Sequence, residues 1–166
     1  MSLFKKPYTK VTVNKKKEIP SGLWVKCLDC GAMLYKKQLE ENFSVCPKCE
    51  YHFTLTARDR ITSFFDEGTF KEMYAGLSSL DPIEFRGPKT YKDKLKADQD
   101  STGLNEAAIA GVGKVNKLNV AFTVTDSRFI MGSMGSVVGE KIARITEYAT
   151  KNKLPLVIIS GSGGGA

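Results

Sequence analysis

Four cysteines form the most specific chemical pattern in the sequence. They stand as two CxxC pairs separated by fifteen residues, at Cys27, Cys30, Cys46 and Cys49. This is the spacing of four-thiolate zinc ribbons, in which each CxxC turn directs two sulfurs at one ion. Protein sulfurs would fill all four positions, so the predicted Zn²⁺ is structural and has no open position for activating water. Free thiols or another metal are the alternatives.

Metal binding would explain how so short a unit folds. A unit of roughly 30 residues lies below the length of about 40 that usually folds unaided, so we expect metal removal to unfold it. His52 follows three residues after Cys49 and is the sole histidine. We interpret it as packing beside Tyr51 and Phe53, with metal ligation as the alternative. A sole histidine also makes a Ser-His-Asp or Cys-His hydrolase hard to build.

Two glycine-rich stretches are the second candidate for chemistry. Residues 127–135 place Gly132 and Gly135 before a predicted helix, and residues 161–166 (GSGGGA) follow a predicted strand. Glycine lets backbone N–H groups approach a ligand, and a helix N-terminus adds partial positive charge, which suits phosphate or a developing oxyanion. Close helix–strand packing would require the same glycines in the first stretch. The second lacks the Gly-Lys-Ser/Thr of a P-loop, which leaves a dinucleotide-binding turn or a pair of oxyanion-hole donors.

The elements that must position these residues follow from periodicity and punctuation. Apolar residues at helical spacing in 136–153, and strand-like runs on either side, predict a layered α/β core with a buried final strand. Thr56 is the expected N-cap of an earlier helix. The predicted helices are 56–65, about 90–100 and about 136–153; the predicted strands are 106–115, 119–126 and 154–160; residues 69–88 are predicted to be irregular.

Composition limits the class of protein and the nature of its partners. The 166 residues contain neither an apolar run approaching a membrane span nor an N-terminal signal peptide, so we expect a cytoplasmic protein with reduced thiols and no membrane partner. Residues 1–60 carry 12 Lys/Arg against 6 Asp/Glu, which is most of the net charge of +7. Such a basic arm attracts phosphate-bearing partners or is simply solvated. Nucleic-acid binding by the ribbon is also compatible with the residues Lys26, Lys36, Lys37, Lys48 and Tyr35.

A family resemblance brings these features together. The ribbon is followed in order by LTARDRI (55–61), FFDEGTFKEM (64–73), TGLNEA (102–107), DSRFIMGSMGSVVGEKIARI (126–145) and LPLVIISGSGGGA (154–166). From about Leu23 to Ala166 the chain resembles the β-subunit family of bacterial-type acetyl-CoA carboxylase carboxyltransferases. The resemblance implies an α/β (α+β) fold, in which a four-cysteine zinc ribbon precedes a truncated crotonase-like ββα spiral core. The implied domains are a basic mobile arm (1–22), the ribbon (23–55) and the N-terminal part of the carboxyltransferase domain (56–166).

The resemblance also implies an activity and partners. A carboxyl group would pass from carboxybiotin on the biotin carboxyl carrier protein to acetyl-CoA, giving malonyl-CoA for fatty acid synthesis. The ureido anion of biotin would be the base. The partners would be an α subunit in an α2β2 assembly, the carrier protein and biotin carboxylase. We expect residues 1–166 alone to be inactive in carboxyl transfer, even with the α subunit. The competing hypothesis is a nucleic-acid-binding zinc-ribbon protein, a property also linked to ribbons of this family.

The resemblance assigns roles to the two glycine stretches. Gly164 and Gly165 would supply the oxyanion hole for a thioester enolate, with Gly163 as the alternative. The family pattern SxSGGARM has two glycines before its alanine, whereas three precede Ala166 here, so the register shifts by one residue. The earlier stretch would shape the thioester and CoA pocket through Gly132, Ser133, Met134 and Gly135.

Overall fold

The computed structural model describes residues 22–163, which form two compact units. The chain passes from the first unit to the second between Phe53 and Thr54. Of the arm predicted over residues 1–22, all but Gly22 lies outside the described residues. Within the described part of the chain, no helix has the length and apolar character needed to cross a membrane.

The first unit is a small ribbon with very little apolar core. Strands β1 (Trp24–Lys26) and β2 (Met33–Tyr35) pair antiparallel and are followed by the short helix α1 (Lys36–Glu41). The buried core consists of two leucines and two cysteines: Leu34, Leu39, Cys27 and Cys46. Few apolar side chains are therefore available to hold this unit together.

The second unit is built on a four-stranded sheet in the order β3-β4-β5-β6. Neighbours are antiparallel except β5 and β6, which are parallel and connected through the long helix α4. Its elements are α2 (Ala57–Phe64), β3 (Lys71–Met73), α3 (Tyr91–Thr102), β4 (Ala108–Val115), β5 (Leu118–Thr125), a 3-10 turn (Ile130–Gly132), α4 (Ser136–Asn152) and β6 (Leu156–Ile159).

Local sequence signals define the helix ends. Thr56 caps α2 by accepting the Asp59 N–H, and the Asp59 carboxylate accepts the Thr56 N–H in return, which is a reciprocal capping box. Thr90 caps α3 through the Asp93 N–H, and α3 ends at Gly103 in the left-handed conformation. The predicted Thr56 cap and all three predicted helices are present.

The β4–β5 hairpin turns tightly at Asn116 and Lys117, both with positive φ. The Asp66 carboxylate accepts the N–H groups of both turn residues, at 3.0 and 2.8 Å.

An aromatic cluster packs against the hairpin. The ring of Phe122 on β5 contacts the rings of three other phenylalanines, and a side chain at Gly113 would overlap one of these rings. The three are Phe64, Phe65 and Phe70.

Two expectations about strands were wrong. The stretch predicted to be irregular contains β3, which pairs with β4 over Lys71–Met73. The final strand, predicted to be buried, is half-exposed, and Ile158 is 44% exposed. Among the described strands β6 pairs with β5 alone and lies at the edge of the sheet. One of its sides therefore lacks a neighbouring strand within the described residues.

Candidate functional site

The four cysteine sulfurs converge on one point in the ribbon. All lie within 4.8 Å of one another, with Sγ–Sγ distances of 3.6 Å for Cys27–Cys49 and 3.8 Å for Cys30–Cys46. A tetrahedral ion with Zn–S bonds of about 2.3 Å separates its sulfurs by roughly 3.8 Å, whereas a disulfide needs about 2.05 Å. The geometry and the thiolate chemistry of this donor set both fit a structural Zn²⁺.

The two CxxC turns have the same backbone construction. The Cys27 N–H donates to Ala32 O at 2.8 Å and the Gly31 N–H to Cys27 O at 3.1 Å. In the second turn, the Cys46 N–H donates to a carbonyl five residues on (2.8 Å), and the Glu50 N–H donates back to Cys46 O (2.9 Å). Gly31 and Glu50 occupy equivalent positions with φ of 70° and 61°. Each turn thus presents its two sulfurs in the same way.

In the second turn, backbone N–H groups favour the thiolate of Cys46, whereas at Cys49 the Tyr51 N–H lowers the pKa but is outweighed by burial and hydrogen bonds with the neighbouring thiols, which raise the pKa to about 12. Burial alone would raise the pKa of the Cys46 thiol, but N–H groups of Lys48 and Cys49 outweigh it and bring the pKa to about 7. N–H groups aimed at a sulfur stabilise the thiolate, which is the form that binds zinc. His52 is not a member of the cluster, and its backbone forms a bridge with Val45.

The surface of the ribbon supports nucleic-acid binding only in part. Trp24 and Tyr35 lie opposite each other on the hairpin, with ring centroids 5.6 Å apart, and Trp24 is 56% exposed. The predicted basic residues Lys36 and Lys37 form i,i+4 ion pairs with Glu40 and Glu41 at 3.8 and 4.0 Å. Their charges are therefore partly compensated within α1.

The two glycine stretches meet at the carboxyl ends of β5 and β6. Strand β5 leads into the 3-10 turn and strand β6 into residues 160–163, and because these strands are parallel neighbours, both segments leave the same edge of the sheet. The Gly163 N–H donates to Met131 O at 2.9 Å, and the Gly161 N–H donates to Thr125 Oγ1 at 2.7 Å. Gly132 has φ of +66°, and a Cβ there would overlap the carbonyl oxygen of Gly161. Only glycine permits this close approach.

The predicted pocket residues surround the start of α4. Gly132 is buried, Ser133 is half-buried, and Met134 is 46% exposed. Gly135 is the N-cap of α4 and has no side chain to cap the first turn of the helix. The N–H groups of a first turn have no partners within their helix and carry partial positive charge. This end of α4 is thus suited to an oxygen that gains negative charge.

The predicted oxyanion-hole residues cannot all be placed. Gly164 and Gly165 lie outside the described residues. The alternative, Gly163, is described, but its N–H is engaged with Met131 O. A donor already held by a carbonyl is not free to bind a substrate oxygen, so the structure offers no support for Gly163 in this role.

Sequence reasoning missed a buried acid beside the site. Asp126, directly after β5, accepts hydrogen bonds from the Ala57 N–H and the Arg128 N–H, and from Arg128 Nε and Nη2 at 2.9 and 2.8 Å. Burial alone would raise the pKa of Asp126, but these bonds and the positive charge of Arg128 hold it below its usual value. The spacing of acid and arginine in DSR was the available signal. Through these bonds the Asp126 carboxylate connects the residues just before the 3-10 turn to the first residue of α2.

Sequence reasoning also missed Lys141, because a lysine in a helix is usually exposed to solvent. Its side chain is 2% exposed and donates to Ala108 O at 2.8 Å. Burial lowers the pKa of Lys141, while the negative charges of Glu72 and Glu106 oppose that effect. The ammonium joins α4 to the first residue of β4.

Fold and site together define an α/β domain with two backbone-lined loops at one sheet edge, joined to a four-cysteine zinc ribbon. The family model for the acetyl-CoA carboxylase zinc finger domain matches residues 24–49, and the carboxyl transferase domain model matches residues 53–166. The chain belongs to the carboxyl transferase domain family. The predicted fold class, a zinc ribbon with a crotonase-like core, is confirmed.

Individual relatives agree with the family assignment. A protein of Desulforudis audaxviator named acetyl-coenzyme A carboxylase carboxyl transferase subunit beta is 52% identical over 163 residues, or 98% of this chain and 58% of that protein. A Clostridium botulinum protein of the same name is 48% identical over 157 residues, or 95% of this chain and 53% of that protein. The chain thus spans about half the length of the curated relatives it matches.

A solved structure supports the fold independently. The crystal structure of transcarboxylase 12S, a hexamer with methylmalonyl-coenzyme A bound, superposes with a TM-score of 0.52 at 21% identity. The superposition covers 68% of this chain and 20% of that chain. At this level of identity the likeness shows the fold alone.

Proposed function

We propose that this chain is the β-subunit part of an acetyl-CoA carboxylase carboxyltransferase, which moves a carboxyl group from carboxybiotin to acetyl-CoA. The observation that supports it best is the meeting of the two glycine stretches beside the uncapped start of α4. Backbone N–H groups at such a place can stabilise negative charge without having to reorganise during the reaction.

The reaction requires stabilisation of an enolate. A C–H bond of the acetyl methyl breaks, the electron pair moves onto the thioester oxygen, and a new C–C bond to the carboxyl carbon then yields malonyl-CoA. Carboxybiotin would supply the carboxyl group, and the ring nitrogen freed when its N–C bond breaks would take up the methyl proton. The enolate oxygen carries more charge than the thioester carbonyl, so fixed donors bind the transition state better than the ground state. The proposed donors are the N–H groups of Gly164, Gly165 and the first turn of α4.

Within this proposal the remaining residues position the substrate. Gly132 allows the two loops to touch, and Met131 and Met134 expose flexible apolar side chains beside them. Such side chains suit the thioester end of an acyl-CoA. The Zn²⁺ we propose for the four cysteines would stabilise the ribbon and take no part in the chemistry, because no ligand position is open.

Acetyl-CoA binding tests the substrate assignment. Acetyl-CoA is titrated into the 15N-labelled chain, with CoA as the comparison ligand. We expect the amide signals of residues 132–136 and 161–163 to shift with acetyl-CoA. Gly132→Ala should weaken binding about tenfold or more, since the added Cβ separates the loops. Gly76→Ala is the matched control, because nothing lies within 4 Å of a Cβ there.

The same titration can refute the substrate assignment. Signal changes confined to another surface would do so, as would unchanged affinity in a folded Gly132→Ala protein.

The proposed partners are the α subunit, the biotin carboxyl carrier protein and biotin carboxylase. Binding of a purified α subunit is measured by calorimetry, and malonyl-CoA formation is followed in the same mixture after adding carboxybiotin. We expect binding without turnover for these 166 residues. Absence of α-subunit binding would contradict the proposed assembly.

The exposed face of the ribbon hairpin supports a second candidate, single-stranded nucleic-acid binding. Trp24, Lys26, Met33 and Tyr35 share this face, and aromatic stacking beside a cation is typical of such sites. Trp24→Ala should reduce affinity for a poly-U RNA oligonucleotide, and affinity should fall steeply with salt. Equal binding by the variant would reject the candidate.

A further inference from the structure

Asp98 on helix α3 makes a contact that neither its position in the helix nor the proposed chemistry requires. Its Oδ2 accepts the backbone N–H of Ile130, thirty-two residues later in the chain, at 3.1 Å. Asp98 is half-buried. A bond from an N–H to an ionised carboxylate is among the stronger hydrogen bonds in proteins. One side chain of α3 therefore reaches directly into the 3-10 turn.

That turn is held in an unfavourable conformation. Ile130, Met131 and Gly132 have φ values of 43°, 56° and 66°, so three successive residues are left-handed. A β-branched residue at positive φ is a genuine outlier, and such residues persist only where surrounding contacts hold them. Ile130 packs against the apolar core, its carbonyl accepts the Ser133 N–H at 3.0 Å, and the Asp98 carboxylate is the side chain that holds its N–H.

The conformation of the turn decides where the second glycine stretch lies. The carbonyl of Met131 accepts the Gly163 N–H at 2.9 Å, and Gly132 lies against the carbonyl of Gly161. If Ile130 relaxed toward right-handed φ, the Met131 carbonyl would change direction and release Gly163. Gly161 has a separate anchor in Thr125 Oγ1, which this change would not affect.

We propose that Asp98 is a positioning residue for the paired glycine stretches. Its carboxylate keeps the 3-10 turn left-handed, and the turn in turn holds Gly163 through the Met131 carbonyl. The relevance to enolate stabilisation rests on the proposed function, whereas the mechanical link from Asp98 to Gly163 does not. The Asp126 carboxylate cannot replace that of Asp98 here, because it bonds to Ala57 and Arg128 and not to the left-handed residues.

The link is tested by amide–solvent exchange, measured residue by residue by NMR on the zinc-loaded chain. In Asp98→Ala we expect the Ile130 and Gly163 amides to exchange about tenfold faster or more, because a bond to a charged acceptor contributes at least that factor. The Gly161 and Phe122 amides should keep their wild-type rates. Asp98→Asn retains an acceptor oxygen and should restore most of the protection. Asp100→Ala, an exposed acid on the same helix, is the matched control.

Two results would overturn the proposal. One is faster exchange at Ile130 with an unchanged rate at Gly163, which would make the bond purely local. The other is an equal increase at Gly163, Gly161 and Phe122, which would mean general loss of stability. Acetyl-CoA affinity is then measured in the same variants, and Asp98→Ala should weaken it while Asp100→Ala should not. If wild type fails to bind acetyl-CoA, the proposed function fails, but the exchange rates still decide the role of Asp98.

Discussion

Removing the metal from the ribbon should unfold residues 22–53 and leave residues 54–163 folded. The ribbon packs the partly buried Val25, Tyr51 and Phe53 against its core but fully buries only two leucine side chains, Leu34 and Leu39. Each contributes about 1.5–3 kcal/mol when fully buried, or roughly 3–6 kcal/mol together. Structural zinc contributes on the order of 10–16 kcal/mol in peptides of this kind. Zinc binding therefore contributes more to the stability of the ribbon than the two leucines do, and we expect the ribbon to unfold without it.

The second unit has its own hydrophobic core and should stay folded when the metal is removed. Its core combines the four-phenylalanine cluster around Phe122 with the buried face of α4, and no member of the four-cysteine cluster lies in it. Because the ribbon is a compact unit of its own, its unfolding removes none of the strands and helices that form the second unit.

The assay combines metal content with two spectroscopic probes. A high-affinity chelator is added at neutral pH, and released zinc is measured against an expected value of one ion per chain. Trp24 is the sole tryptophan and lies on the ribbon hairpin, so its fluorescence reports on the folding of the first unit. Amide signals of Leu34 and Leu39 should collapse to random-coil positions, while those of Phe122 and Ile145 stay dispersed. Adding zinc back should restore the native spectrum.

One outcome would refute the reasoning directly. If the metal-free chain kept dispersed Leu34 and Leu39 signals, the apolar core would suffice and the metal would be dispensable for folding. Leu34→Ala is the complementary variant, because it should cost about 2–5 kcal/mol yet leave the zinc-loaded ribbon folded. Unfolding of this variant in saturating zinc would show that packing, rather than the metal, is the main source of stability.

Three further substitutions probe the second unit, each by urea denaturation. Thr123→Val should stabilise the second unit by about 1–2 kcal/mol, because the buried Thr123 hydroxyl has no hydrogen-bond partner among the described residues and valine has nearly the same shape as threonine. Destabilisation by this substitution would contradict the reasoning. Asp126→Asn should cost about 2–4 kcal/mol at pH 7 by weakening its bonds to Arg128 and the Ala57 N–H. Because the folded pKa of Asp126 is depressed, its stabilisation is present above the unfolded value of about 3.9 and is lost as the pH falls below it. Wild type and variant should therefore converge in acid, and a constant difference from pH 7 to 2 would refute the assignment. Gly132→Ala should cost about 1–3 kcal/mol through strain and overlap with Gly161, and a neutral effect would mean that the loops separate freely.

Local features of this fold were predictable because their causes are local. The Thr56 cap is read from side chains within one turn of the helix end. The helical stripe of α4 appears as the buried residues Val138, Ile145 and Ala149. The cysteine spacing predicted the metal cluster for the same reason, since each CxxC pair is a single turn. No contact between distant segments was needed for any of these inferences.

Features that depend on pairing were not predictable in this way. Strand β3 is three residues long and contains Lys71 and Glu72, so its sequence has no strand signal, and its pairing with β4 defines it. The partial exposure of β6 depends on which strands flank it, whereas its apolar composition suggested burial. The burial of Lys141 depends on an acceptor, Ala108 O, that lies thirty-three residues away.

The candidate site shows the same division most clearly. Sequence alone placed a glycine stretch after each of two strands, and the parallel pairing of β5 with β6 then brings both stretches to one edge. That pairing explains why Gly132 must be glycine: its close neighbour is the Gly161 carbonyl, not a residue of its own turn. A glycine placed by local turn geometry would tolerate movement of the second loop. Here the two loops fit against each other, so a substitution that relaxes the 3-10 turn should release Gly163, while Gly161 stays anchored to Thr125 Oγ1.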